Sequence, residues 1–197
     1  MTRLSSRFED ALTFATRLHD GQYRKATATP YIAHLLAVAS LVLEQGGSED
    51  QAIAALLHDA IEDQGHKVTL EEIRQRFGET VAQIVDGCTD ATGGLPKPPW
   101  RERKQAFIAY LRDAPAAVRL VAAADKLHNA RTILNDYRRV GEAVWERFNG
   151  GRNGTLWYYR ALVETLHMVG PTPLVQELDR VVSELERLAF AAENGGA

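Results

Sequence analysis

The chain has 197 residues, of which 45% are hydrophobic and 25% charged, with a formal net charge of −3. Such a length can bury one good core, so a single domain is expected, and the acidic balance argues against DNA or RNA as a partner, because a nucleic-acid surface needs clustered Lys and Arg in excess. One cysteine, Cys88, excludes an internal disulfide, and the opening MTRLSSRFEDAL has no apolar signal run. No stretch approaches the roughly 20 apolar residues of a membrane span, so a cytoplasmic protein without membrane association is expected.

The apolar spacing predicts a first helix over residues 5–19, ending at Asp20-Gly21. A polar loop carrying Arg24 and Lys25 follows, where cations can meet phosphate oxygens, although an isolated Arg-Lys pair is usually plain surface. Pro30 marks the start of a second helix, 31–45, with His34 in its first turns. Ile53, Leu56, Leu57, Ala60 and Ile61 recur at helical spacing and predict a helix over 49–63. It carries His58-Asp59, whose adjacent side chains diverge by about 100° yet can both reach one ion beside the helix. Glu62 and Asp63 project over the same edge one turn later. Structural use of such a pair is the competing reading.

Helices are expected next at 69–76 and 79–89, with Thr69 and Glu72 as a capping box and Gly46-Gly47 and Gly78 as stops. ATGGLPKPPW, residues 91–100, reads as a loop, either a plain connection or a cover over a site. Helices at 100–112 and 115–137 follow. The second is strongly apolar with Asp125 in its middle, a position that costs several kcal/mol unless the carboxylate is paired, hydrogen-bonded or bound to metal. A salt bridge to Lys126 or Arg131 is the alternative to a ligand role. Lys126, His128, Asn129, Arg131 and Thr132 offer donors suited to phosphate, ribose and base edges. GGRNG reads as a turn before a helix at 155–169, where Trp157, Tyr158, Tyr159 and Arg160 either fill the core or wall a pocket. A last helix at 173–191 leads to a tail, 192–197, expected to be disordered. Period-2 alternation is absent, so the fold class is all-α.

His34, His58, Asp59 and Asp125 together supply imidazole and carboxylate ligands for a divalent ion, with Glu62 and Asp63 spare for a water proton. The stretches HDGQYRK, TPYIAH, ALLHDAIED, RFGETVAQIVDGCTD and AADKLHNARTI, in this order, resemble the hydrolase domain of the RelA/SpoT family, and within it the stand-alone small alarmone hydrolases. The resemblance covers about residues 5–168. It implies an HD-domain helical fold, a bound manganese ion, and removal of the 3′-pyrophosphate from guanosine tetra- and pentaphosphate.

Carried over by position, the resemblance makes His34, His58, Asp59 and Asp125 the metal ligands. Glu62 and Asp63 become the pair that orients and deprotonates the attacking water. Arg24 and Lys25 become the basic pair that meets the nucleotide, with Asn129 and Thr132 near ribose and base. Lys126, Tyr158 and Arg160 join as further substrate contacts. Hard nitrogen and oxygen ligands suit manganese or iron, with zinc able to compete. The chain departs from the family's common pattern at Leu35, where a Pro is frequent, and at Ala28-Thr29, where Ser-Gly-Glu is frequent. The second departure lies in the base-binding loop. An adenine alarmone or the 2′-phosphate of NADPH therefore stays open as substrate, as do a non-catalytic nucleotide-binding module, a metal-free helical interaction protein, and a homo-oligomeric state.

Overall fold

The computed structural model describes residues 2–89 and 98–194. The elements are α1 (Ser6–Leu18), α2 (Ile32–Glu44), α3 (Glu49–Leu57), α4 (Ala60–Gln64), α5 (Leu70–Phe77), α6 (Glu79–Cys88), α7 (Trp100–Asp113) and α8 (Ala116–Val140). A 3-10 turn at Gly141–Arg147, then α9 (Gly151–Val169) and α10 (Pro173–Asn194), complete the order. Among the described residues there is no strand, only one isolated antiparallel bridge between Tyr23 and Pro30. The all-α expectation holds. The expected loop 91–100 lies, for residues 90–97, outside the described residues.

The helices gather into two compact units, Met1–Lys97 with Ala114–Asp125, and Pro98–Asp113 with Lys126–Ala197. The first is built around α3, which packs against α1, α2 and α6. Every residue from Ala52 to Leu57 is fully buried, because small alanines on the remaining faces let neighbouring helices approach where Ile53, Leu56 and Leu57 fill the gaps. Each of those three larger side chains contributes about 1.5–3 kcal/mol on burial. The residues that follow α3 are thus anchored to the most enclosed element of the unit.

The predicted helix over 49–63 is interrupted at His58-Asp59. His58 Nδ1 donates to the carbonyl of Ala55 at 2.8 Å, the group that would accept the Asp59 N–H in an unbroken helix. Asp59 adopts φ −96°, ψ 0°, and α4 begins beyond it. Side-chain competition for a backbone acceptor overrides an apolar periodicity that runs straight across the break.

Other differences have equally local causes. Only half of the Thr69 capping box is formed: its hydroxyl accepts from the Glu72 N–H at 3.2 Å. A complete box caps α3 instead, where Ser48 Oγ accepts from Gln51 N at 3.3 Å and Gln51 Oε1 accepts from Ser48 N at 2.7 Å. Gly46 and Gly78 do end helices, with φ of 75° and 95°.

In the second unit α9 packs against α7 and α10. The expected turn at GGRNG forms at its start, where Gly151 takes φ 56° and donates its N–H to Phe148 O at 2.9 Å, and α9 follows at once rather than from 155; a Cβ at Gly150 would stand 2.6 Å from the Trp100 ring and one at Gly154 3.2 Å from it. Gly150 and Gly154 thus admit an indole. α10 continues to Asn194, three residues past its expected end, and residues 195–197 of the expected tail lie outside the described residues.

The capping box fixes the start of the helix that ends in the His58-Asp59 turn. Ser48→Ala is expected to lower stability by about 0.5–2 kcal/mol, measured as a shifted denaturation midpoint at unchanged slope. No shift would mean that burial alone holds α3.

Candidate metal centre

Three elements of the first unit bring two imidazoles and two carboxylates together. His34 stands in the first turn of α2, His58 and Asp59 form the break after α3, and Asp125 lies on α8. His34 Nε2 is 3.5 Å from Asp59 Oδ2 and 3.2 Å from Asp125 Oδ1. His58 Nε2 is 3.1 Å from Asp59 Oδ2 and 3.6 Å from Asp125 Oδ1. Ligand atoms that share one ion through bonds of ~2.1 Å stand about 3.0–3.5 Å apart, so this ring has the edge lengths of a coordination shell. His34, His58 and Asp59 form a group able to hold a metal ion, and Asp125 Oδ1 stands 3.2 Å and 3.6 Å from its two imidazole nitrogens.

The electrostatics agree. Because His58 Nδ1 carries its proton to Ala55 O, the neutral ring presents a lone pair at Nε2, a buried atom without a hydrogen bond. A lone pair aimed at two carboxylate oxygens is repulsive unless a cation or a proton lies between them. Without an ion the proton takes that place. Burial opposes the imidazolium, but Asp59 and Asp125 outweigh it and hold the pKa of His58 well above the ordinary histidine value. Burial likewise opposes the Asp59 carboxylate, yet His58 and His34 hold its pKa well below the ordinary range. The centre is built to keep positive charge among four buried or half-buried groups.

Behind the ring lies a layer of polar groups with no role expected from sequence. Tyr31 Oη donates to Asp59 Oδ2 at 2.6 Å. Burial and the surrounding carboxylates push its phenol pKa upward, so it stays a donor. The Tyr31 ring stacks on His19 at 5.1 Å and meets the edge of His34 at 5.6 Å. Gln22 links this layer to α4: its Nε2 donates to Asp63 Oδ2 at 2.8 Å, while its Oε1 faces His19 Nδ1 at 2.7 Å and Gln64 Nε2 at 2.5 Å. Tyr31 had a legible signal, a phenol three residues before His34 and so on its helix face. Gln22 and His19 lie inside a stretch that carried the family resemblance, but no spacing pointed from them to Asp63.

Of the expected water-activating pair, Glu62 is half-buried and Asp63 exposed on α4. Although solvent reaches Asp63, the protein around it and the charge of Asp59 raise its pKa against the hydrogen bonds of Gln22 and Tyr31. Arg24 is half-buried with its guanidinium 5.7 Å from the Tyr31 ring centre, and Lys25 is exposed beside Ala26, which takes φ 58° in the tight turn before Thr29.

The remaining expected contacts belong to the second unit. Lys126 Nζ lies 5.4 Å from the Phe107 ring, and Thr132 donates its hydroxyl to the His128 carbonyl at 3.0 Å. Asn129 is half-buried on α8. Tyr158 and Tyr159 are buried, and Tyr158 packs among Trp100, Trp157 and Tyr159, which favours the core reading of this aromatic run. Arg160 bonds Glu186 at 2.5 Å, Asp179 at 2.7 Å and Ser183 at 3.0 Å, all on α10. Arg131 likewise pairs with Glu177 at 3.4 Å.

Residues 11–156 match the HD domain family profile. A guanosine-3′,5′-bis(diphosphate) 3′-pyrophosphohydrolase named MESH1, from Xenopus tropicalis, is 41% identical over 139 residues, covering 69% of this chain and 72% of its own. A guanosine-3′,5′-bis(diphosphate) 3′-pyrophosphohydrolase from Haemophilus influenzae is 33% identical over 183 residues, 88% of this chain, which spans only 23% of that longer relative. A solved structure of a metazoan SpoT orthologue, described as hydrolysing ppGpp, superposes with a TM-score of 0.76 at 25% identity, over 93% of this chain and 98% of that one.

A donor to a ligating carboxylate tunes the metal without touching it. Tyr31→Phe is therefore expected to weaken divalent-ion binding about 10- to 100-fold, read by competition with a chromophoric chelator. Unchanged affinity would remove Tyr31 from the support of Asp59.

Proposed function

The chain belongs to the HD domain family, and from that membership we propose that it is a manganese-dependent phosphohydrolase that releases the 3′-pyrophosphate of guanosine tetra- and pentaphosphate. The closed ring of two imidazole nitrogens and two carboxylate oxygens, with a solvent-reachable carboxylate beside it, carries the reading. His34, His58, Asp59 and Asp125 hold the ion, and residues 1–197 act as one hydrolase domain. Iron fits the same donors, and zinc competes. The partner is a small nucleotide and the setting cytoplasmic. No helix among the described residues is long and apolar enough to cross a membrane.

A bound divalent ion supplies Lewis acidity, polarising a phosphoryl oxygen and acidifying water. The chain's own residues do the rest. Asp63, whose raised pKa suits a proton acceptor, takes a proton from the attacking water, and Glu62 on the same turn orients that water. The water oxygen forms a bond to the phosphorus attached to the ribose 3′ oxygen. The bond from that phosphorus to the ribose breaks, pyrophosphate departs, and the 3′ oxygen takes up a proton. Arg24 and Lys25 balance charge on the phosphoryl oxygens. Asn129 and Thr132, three residues apart on one face of α8, meet ribose and base. Arg160 clamps α9 to α10.

Anion-exchange analysis after incubation of guanosine tetraphosphate with protein and manganese should give guanosine diphosphate and pyrophosphate. Asp59→Ala is expected to lose both metal and product. Asp63→Asn and Glu62→Gln should keep metal and lose about 10²- to 10⁴-fold in kcat. Turnover of an adenine alarmone or of NADPH in place of the guanine substrate would reassign the nucleotide, and metal binding with no turnover of any would make the chain a binding module.

A further inference from the structure

Asp63 sits on α4, a helix of five residues, too short to fix a side chain by its own backbone hydrogen bonds. What holds it comes from the loop between α1 and α2. Gln22 is fixed through its backbone on both sides: its N–H donates to His19 O at 3.0 Å and its carbonyl accepts from Tyr31 N at 2.9 Å. Its side-chain amide then has one workable orientation. Nε2 must face the acceptor-only carboxylate of Asp63, at 2.8 Å, which leaves Oε1 toward Gln64 Nε2 and His19 Nδ1. Reversing the amide would set oxygen against carboxylate and nitrogen against the Gln64 nitrogen.

The supporting groups are fixed in turn. Gln64 is buried at the end of α4, and His19 is buried and stacked on Tyr31, with Nδ1 as its donor. Burial keeps His19 neutral against the pull of Gln22 and the carboxylates.

Building on the role proposed for Asp63, we infer that Gln22 is a positioning residue for the hydrolysis: its amide, locked by His19 and Gln64, holds one oxygen of Asp63 so that the other faces the attacking water. Gln22 acts through Asp63 and touches neither the ion nor the nucleotide.

The test is a double-mutant cycle on the full chain loaded with manganese. Gln22→Met keeps the length of the side chain and removes its polar end. It should lower kcat about 10- to 100-fold with KM and manganese content unchanged. In an Asp63→Asn background it should change kcat by less than about twofold, because there is no carboxylate left to hold. Gln64→Met, one bond further out and a separate route if Gln22→Met does not fold, should give a smaller kcat loss that also vanishes in Asp63→Asn. Independently of turnover, the Gln22 side-chain amide signals in a proton–nitrogen spectrum should move on Asp63→Asn, and the His19 ring should report a proton on Nδ1.

Multiplying effects in the cycle, a raised KM at unchanged kcat, or amide signals indifferent to Asp63 would overturn the inference. Full turnover by Gln22→Met beside a crippled Asp63→Asn overturns only the role of Gln22. Full turnover by Asp63→Asn itself overturns the reading of Asp63 and this inference with it.

Discussion

Two imidazoles and two carboxylates meet at 3.1–3.6 Å inside a wall of apolar helices, with His34, His58 and Asp125 all at or below 5% exposure. Bringing two negative groups together in such a place costs several kcal/mol for each unless positive charge joins them. Much of the first unit is a response to that requirement. The proton of His58 is sent away to Ala55, which opens Nε2 and breaks the helix. The break lets Asp59 leave the regular helical path, and Tyr31 adds a donor to the oxygen that faces both imidazoles. An apolar α3, fully enclosed over Ala52 to Leu57, keeps these atoms from relaxing apart. The energy that rigid burial provides is spent against electrostatic strain.

The all-helical class and the convergence of His34, His58, Asp59 and Asp125 were legible because each rests on a strong local pattern. Apolar spacing marks the helices, and a His, a His-Asp doublet and a buried Asp leave few chemical uses. The break after Leu57 was not legible, since Ile53, Leu56, Leu57, Ala60 and Ile61 keep helical period across it and the deciding event is one imidazole capturing one carbonyl. GGRNG holds the expected turn only at its first two residues, and the helix starts earlier than the pattern suggests. Glycine-rich sequence suggests a turn, but the identity of the neighbour, Trp100, decides whether glycine serves flexibility or clearance. Arg160 beside aromatics had the composition of a phosphate site, and only the arrival of Asp179 and Glu186 from α10 shows its charge already matched. Such differences arise wherever a residue's role depends on a partner far away in sequence.

Burial is graded across the centre, and the grading separates its tasks. His34, His58 and Asp125 are withdrawn from solvent, Asp59 is half-buried, and Asp63 is exposed. Groups that hold a cation gain from a low dielectric, where each interaction is stronger and competing water is excluded. A group that must collect a proton from water needs access, but access brings mobility, and α4 is too short to suppress it. The polar layer of Gln22, His19 and Gln64 reconciles these demands by restraining the exposed carboxylate from its protein side. The same loop backbone carries Arg24 two residues after Gln22, with its guanidinium 5.7 Å from the Tyr31 ring centre. Precision at the buried ligands thus comes from apolar packing, whereas precision at the solvent-facing carboxylate comes from hydrogen bonds.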